Sequence, residues 1–384
     1  MLFRKIADYI RECDKILYIL CFITTLYGSV AVLSSTYNSS DKSLKQFLMQ
    51  IFCMALGFIA VIIISTFDYK SFSRFWPVIL FIGLALVVLT FFIGYAPGNT
   101  DDKAWLRIPG GFTFQPSELL KICFAISFGY HCYVIGDKVK SFFHTIFLCF
   151  HGAVPVLLVH FQGDDGSALI FAFMLVGMMF VAGVKLRYFI IALSSALVAT
   201  PFIYLFVMND DQKSRINAMF FGTESDYLGP LYQQWRGRVA MANGGWFGQG
   251  LFKGSLVQSG SIPEGHNDFI FTSIGEELGF IGCIAVLILI MLICIRILKI
   301  GFLANSKLGL VLCTGIFTML FSQTLVNIGM CLWLLPVIGV TLPFFSAGGT
   351  SLLCTFLGIA VVMSVYIHRD SGVSHIHDDK KISF

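Results

Sequence analysis

The stretch "PEGHNDFIFTSIGEELGFIGCIAVLILIMLICIRIL" (263–298) decides the fold. From 269 to 298 the only charged side chains are Glu276, Glu277 and Arg296. A membrane-spanning helix needs about 20 predominantly apolar residues, and this run supplies them. At its threshold stand a proline, a histidine and two carboxylates, Pro263, Glu264, His266 and Asp268. An ionised side chain at the edge of a bilayer is costly and marks a candidate functional site. Asp268 could also cap the helix beginning at 269, since Asp is a favoured N-cap. Glu276 and Glu277 lie two turns further in, where capping explains nothing, so they need partners such as cations from another helix.

Working outward, the whole chain shares this character. It is 57% hydrophobic and 12% charged, with 40 phenylalanines and a mean hydropathy of +0.82. Soluble domains average about 25% charged residues, so the expectation is an all-α polytopic membrane protein. The net charge of +4 points to no nucleic-acid partner. Most of the eleven cysteines sit inside apolar runs, where they act as small hydrophobes; no CxxC pair or metal spacing is present. Ten spans are predicted, at 16–34, 47–66, 75–93, 116–135, 142–160, 166–184, 188–207, 269–298, 306–330 and 348–368. The first reads as an uncleaved anchor. Residues 1–369 form one transmembrane domain with a long loop at 208–268, and 370–384 form a polar tail.

Basic residues orient the bundle, because cytoplasmic loops carry an excess of Lys and Arg. One set of helix ends carries sixteen: Arg4, Lys5, Arg11, Lys15, Lys70, Arg74, Lys138, Lys140, Lys185, Arg187, Arg296, Lys299, Lys307, Arg369, Lys380 and Lys381. The short loops of the other set carry four, Lys42, Lys45, Lys103 and Arg107. Both termini are therefore expected in the cytoplasm. Loops 94–115, 161–165, 208–268 and 331–347 then face outward, and they hold almost every unusual polar motif.

Each motif has two readings. In "AWLRIPGGFTFQPSELLK" (104–121), Pro116 suits the first turn of a helix, and Glu118 and Lys121 share one helix face. They form either a local ion pair or, with Lys121 inward, a cation site for an anionic headgroup. In "QGDDGS" (162–167), Asp164 and Asp165 either bind a divalent cation or cap the next helix. In "YQQWRGRVAMANGGWFGQG" (232–250), Arg236 and Arg238 either hold phosphate oxygens or are drawn to an anionic lipid surface, which would favour the cytoplasmic face and so goes against the charge count; the glycines suit tight turns. In "NIGMCLWLLPVIGVTLPFFSAGGTS" (327–351), Pro336, Pro343, Gly348 and Gly349 break an apolar run. Non-helical backbone at membrane depth must be buried in protein or line a cavity, so this reads as a broken or re-entrant segment before the last span.

The motifs "FQPSELLK", "QGDDGS", "PEGHNDFIF…GEELG", "NIGM" and "LPVIGVTLPFFSAGGTS", taken in order, resemble the shape, elongation, division and sporulation family, that of RodA, FtsW and SpoVE. The resemblance covers nearly the whole chain. It implies a ten-span peptidoglycan glycosyltransferase that polymerises lipid II beside a class B penicillin-binding protein in a bacterial plasma membrane. By motif, Asp268 matches the family's catalytic aspartate, Gln115, Glu118 and Lys121 match its glutamine-proline-serine-glutamate helix, and Trp105 matches its upstream tryptophan. Three departures stand out. His266-Asn267-Asp268 replaces histidine-threonine-aspartate, "QGDDG" (162–166) replaces glutamine-proline-aspartate-leucine-glycine, and Thr113 stands where a basic residue is frequent. Arg107 is the candidate to supply that charge.

The implied reaction inverts an α-linked sugar to a β-linked polymer and needs a base for the acceptor hydroxyl. Asp268 is assigned that role, desolvation raising its pKa toward the working range. Lys121, Glu118, Arg107, Arg236, Arg238, Trp105, Gln115, His266 and Asp164 form the expected substrate-binding set. A divalent cation, Mg²⁺ or Mn²⁺, is a candidate to assist, although no ligand set is legible. Rival readings are a lipid II flippase, which fits intramembrane charges and broken helices, and a non-catalytic scaffold of the elongation or division complex. The short N-terminus and "DYKSFSRF" (68–75) lean toward the RodA-like, elongation type.

Overall fold

The computed structural model describes residue 9 and residues 11–38, 43–96, 103–108, 112–222 and 224–369. The expected polar tail, and the charges at Arg4, Lys5, Lys42, Lys380 and Lys381, lie outside these residues. Fourteen α-helices run through the described residues: α1 (Lys15–Ser35), α2 (Ser43–Ser65), α3 (Tyr69–Ser73), α4 (Trp76–Ile93), α5 (Pro116–Ile135), α6 (Phe142–Phe161), α7 (Asp165–Ala182), α8 (Leu186–Phe202), α9 (Asp210–Phe221), α10 (Tyr232–Gly244), α11 (Ser255–Gln258), α12 (Ile270–Leu303), α13 (Lys307–Cys331) and α14 (Gly349–Ile367). Ten of them, α1, α2, α4 to α8 and α12 to α14, are long and apolar enough to cross a membrane. Strands β1 (Leu106–Ile108) and β2 (Phe112–Phe114) form a small antiparallel hairpin.

Helix starts follow from local chemistry. The Asp14 carboxylate accepts the Leu17 N–H at 2.9 Å and so caps α1. Its other oxygen takes the Arg296 guanidinium at 2.6 Å. Asp14 is buried, and this pair pins α1 to α12; a charge removed from water needs such a partner. Pro116 opens α5, where its missing N–H costs nothing. The core lies along α13 and α14, each 72% buried across its apolar window, whereas the α8 window is 0% buried. The long loop 208–268 contains three helices, α9 to α11.

The eighth span is not one helix. Gly279 (φ 67°, ψ −164°) breaks α12. Such a break leaves backbone groups without intrahelical partners, and residues 245–250 satisfy them. The N–H groups of Gln249 and Gly250 donate to the Glu276 and Glu277 carbonyls at 2.9 Å each. The N–H groups of Phe280 and Ile281 donate to Gly245 and Trp246 carbonyls at 2.9 and 3.2 Å. Close approach requires glycine on both sides. A Cβ on Gly279 would meet the Trp246 carbonyl oxygen at 2.6 Å and also collide with the Gly248 nitrogen, while one on Gly244 would collide with the Gly275 carbonyl.

Glu276 and Glu277 lock the same junction, and their partners are not cations. Glu276 accepts the backbone N–H groups of Leu256 (2.9 Å) and Val257 (2.7 Å) and the Ser255 hydroxyl (3.1 Å), holding α11 in place. Glu277 accepts the Gln258 amide at 2.7 Å and the Ser34 hydroxyl, tying the loop to α1. Neutral donors suffice because a carboxylate needs several hydrogen bonds rather than one opposite charge.

Gly279→Ala should destabilise the solubilised protein by the strain of a left-handed alanine, about 1–3 kcal/mol, plus the backbone collision. Gly136 shares a positive φ of 59° but has nothing within 4 Å of its would-be Cβ, so Gly136→Ala should cost the strain alone. Thermal unfolding of both variants checks this; equal melting shifts would contradict the close packing of residues 245–250 against Gly279.

Candidate functional site

Asp268 does not cap a helix. The helix after it begins at Ile270, with Phe269 at the N-cap and no side-chain cap bond. The three residues before the N-cap are held by their carbonyls instead. His266 O accepts the Ala347 N–H (2.8 Å), Asn267 O accepts the Ser346 hydroxyl (2.8 Å), and Asp268 O accepts the Asn327 side-chain amide (2.8 Å). Asn327 also donates to the Val340 carbonyl at 2.7 Å, so one buried amide grips both Asp268 and the broken segment. The Cys331 thiol reaches the Asp268 carbonyl as well, at 3.7 Å. Gln234, almost fully buried, donates to the Met330 and Leu335 carbonyls at 2.8 Å each. Asn327 is an amide inside an apolar helix, which marks it from sequence; Gln234 sits in the polar helix α10 and carries no such mark.

The backbone is thus fixed while the carboxylate is left unengaged. Among the described residues, no hydrogen bond or ion pair reaches it, and it keeps part of its accessible surface. Gly339 lies beside it: a Cβ there would stand 3.7 Å from Oδ2. Burial pushes the Asp268 carboxyl up to about 7 from its ordinary 3.8, and the carboxylates of Glu264 and Asp164 add to the rise.

Asp164 organises the neighbouring wall. One oxygen caps α7 through the Ser167 N–H at 2.9 Å. The other accepts the Gln115 amide at 2.8 Å and the Ser117 hydroxyl at 2.9 Å, which fastens the start of α5 to the start of α7. Gly166 lets α7 approach the broken segment, since a Cβ there would meet the Ile338 carbonyl oxygen at 2.5 Å. Lys121 is 1% exposed and donates to Glu118 at 2.7 Å. The local ion pair is therefore formed, and any headgroup role for Lys121 has to work through or against it. Thr350 donates to the Thr113 carbonyl at 2.6 Å, bringing the β-hairpin to the start of α14. The four loops 94–115, 161–165, 208–268 and 331–347 thus meet at one end of the bundle.

None of the three arginines pairs with Asp268 among the described residues, although Gly237, between Arg236 and Arg238, packs against Phe269. Arg107, exposed on β1, stacks 3.6 Å from the centroid of Tyr95, whose backbone pairs with Trp105. Arg236 lies 5.7 Å from the Trp235 ring and 5.9 Å from Tyr232, and its buried Nε has no hydrogen-bond partner among the described residues. Arg238 is exposed, 5.5 Å from the Trp333 ring. None of the three makes an ion pair among the described residues. Nor, among those residues, does any group of three or more His, Cys, Asp and Glu side chains have an arrangement that could hold a metal ion.

This chain is similar along most of its length to peptidoglycan glycosyltransferases of other bacteria. A probable peptidoglycan glycosyltransferase FtsW of Geobacter metallireducens is 33% identical over 362 residues, covering 93% of this chain and 95% of that one. Peptidoglycan glycosyltransferase MrdB of Escherichia coli is 29% identical over 358 residues, covering 93% and 94%. Relatives of both names match over the same length, so they do not divide the chain between elongation and division types. Among solved structures, a chain from a peptidoglycan synthase complex described for its coordination of polymerization and crosslinking matches with a TM-score of 0.79 at 23% identity, covering 93% of this chain and 98% of that one. The rod shape determining protein RodA of Thermus thermophilus matches at 0.69 and 21%, with the same coverage. Both share the ten-span fold. From residue 14 to residue 371 this chain matches the FtsW/RodA/SpoVE cell cycle protein family, and it belongs to that family.

Proposed function

We infer that this chain is a peptidoglycan glycosyltransferase of the bacterial cytoplasmic membrane, and we propose that it polymerises lipid II with Asp268 as general base. One observation carries the assignment of Asp268: hydrogen bonds to the carbonyls of residues 266, 267 and 268 fix the backbone, while its carboxylate, pushed up to about 7, has no partner among the described residues. A base works best with a pKa close to the operating pH. In the proposed step Asp268 takes the proton of the acceptor hydroxyl. That oxygen forms the new bond to the donor sugar's anomeric carbon, and the carbon–oxygen bond to undecaprenyl pyrophosphate breaks with its electron pair. In-line displacement inverts the α-linkage to β.

The residues around Asp268 support this by position. Asn327 and Ser346 hold the base still, and preorganisation of this kind lowers the cost of reaching a transition state. Arg236 is a candidate for the leaving pyrophosphate, since its Nε–H is buried and unmet. Fixed donors aimed at developing charge are a strong catalytic term. The substrate-binding set of Lys121, Glu118, Arg107, Arg238, Trp105, Gln115, His266 and Asp164 is retained as a proposal. Gln115 and Asp164 support the wall, and Glu118 with Lys121 acts as a pair.

The convergence of all four polar loops at one end favours a site on one face over a translocation path. We place that face outside and both termini in the cytoplasm, on the basic-residue asymmetry. We take residues 1–369 as one transmembrane unit. A class B penicillin-binding protein is the proposed partner.

Three outcomes test this reading. Asp268→Asn should insert normally and lose polymerisation of purified lipid II by about 10²–10⁴-fold; glycan ladders equal to wild type would remove the base assignment. Acidity gives a second check. The unfolded Asp268 carboxyl ionises near 3.8 and the folded one near 7. Between those values the unfolded chain holds fewer protons, so this group makes stability fall as pH rises. Wild-type melting temperature should therefore drop relative to Asp268→Asn from pH 4 to 7, while wild-type kcat/KM rises through about 7. Parallel melting curves would refute the raised pKa.

Lys121→Ala leaves Glu118 buried and unpaired and should cost about 3–5 kcal/mol. The double variant Glu118→Gln/Lys121→Met should recover most of that stability but remain slow in turnover. Wild-type kinetics in the double variant would reduce the pair to a structural role.

A further inference from the structure

A second concave feature lies at the same end of the bundle, outside the Asp268 site. A cleft of ≈ 690 Å³ opens between α10, the 3₁₀ turn Glu224–Leu228 and the turn that follows α13. Tyr227, Trp235, Arg238 and Trp333 line it together with Met219 and Leu334. The Tyr227 ring lies 6.2 Å from Trp235 and 6.0 Å, edge to face, from Trp333. The Arg238 guanidinium lies 5.5 Å from the Trp333 centroid. All three rings are half-buried, so each keeps accessible surface. Trp333 holds this place with φ at 65°, a backbone conformation that bulky residues rarely adopt.

The cleft is joined to the catalytic end. Trp333 is two residues beyond Cys331, whose thiol reaches the Asp268 carbonyl, and two residues span at most about 7 Å. Gln234 fastens α10, which carries Trp235 and Arg238, to the same turn. A mostly apolar, aromatic-lined pocket with one charged donor suits a ligand with an apolar face and a polar rim. A pyranose ring is such a ligand: its C–H face stacks on an indole, and its hydroxyls take hydrogen bonds. An acyl chain has no use for the cation. Trp and Tyr also gather at membrane interfaces, but there they ring a bundle, whereas here three separate segments line one open cleft.

We propose that this cleft is a subsite for the glycan strand, binding a sugar unit against Trp235 and Trp333, with Tyr227 at one side and Arg238 donating to the rim. The proposal rests on the polymerase reading. A strand held here stays near Asp268 between additions, so the cleft governs product length.

The test uses the full chain in lipid nanodiscs. The probe is a soluble, lipid-free hexasaccharide of alternating N-acetylglucosamine and N-acetylmuramic acid, followed by tryptophan emission. Product lengths from lipid II are compared at equal substrate consumption. Wild type and Asp268→Asn should bind the probe alike and saturably. Trp235→Ala and, separately, the exposed-site variant Arg238→Gln should weaken binding at least fivefold and shorten the products. Unchanged binding and lengths in a folded Arg238→Gln and Trp235→Ala, or no saturable binding by wild type, overturns the subsite. Emission that follows the anionic lipid content of the nanodisc, and ignores the saccharide, overturns it in favour of an interfacial belt. A wild type that binds the probe yet makes no glycan overturns the polymerase reading alone.

Discussion

Backbone amides that leave a helix at membrane depth must find partners inside the protein, because lipid offers none. Two interruptions in this chain are governed by that constraint, the break at Gly279 and the stretch between α13 and α14. At Gly279 the four freed groups at 276, 277, 280 and 281 are matched by residues 245–250, and the carboxylates of Glu276 and Glu277 fasten the same loop from below. The loop 208–268 is therefore part of the bundle's hydrogen-bond inventory. Removing it would leave these four polar groups of α12 without their partners.

The second interruption places the chemistry. Residues 332–348 are non-helical; Asn327 and Gln234 from packed helices take up the carbonyls of Val340 and Leu335, and within the segment the Ser346 hydroxyl accepts the Leu342 N–H and donates to the Asn267 carbonyl. The same contacts clamp the carbonyls of His266, Asn267 and Asp268. What satisfies the broken backbone thus also immobilises the residue before the next helix. Asp268 is left with its carbonyl held and its carboxylate unengaged among the described residues, an arrangement that disfavours the charged form and suits a group that must accept a proton.

Much of this was readable from residues. The run at 269–298, the prolines and glycines of 335–349, and the asymmetry of Lys and Arg are local signals, and the ten helices fall within a few residues of the expected spans. Asp268 stood out because a carboxylate at a span's edge is expensive. Glu118 and Lys121 were readable as a pair because three-residue spacing places them on one helix face. The role of Glu276 and Glu277 was not readable, since their donors come from residues about twenty positions upstream and from α1. Asn327 and Gln234 were missed for the same reason: an amide shows its value only when the carbonyls it grips are known.

The sequence by itself determined that the chain crosses the membrane ten times, which segments do so, and which polar residues gather at their ends, because hydrophobic length and helix spacing are properties of contiguous residues. Only the tertiary structure decided that α12 is broken at Gly279, that Asp268 caps nothing, that Lys121 is already neutralised, and that Tyr227, Trp235 and Trp333 share one cleft. Those facts depend on distances between residues far apart in the chain. Such distances follow from packing and from the requirement that every buried polar group find a partner, and that requirement is solved over the whole bundle at once.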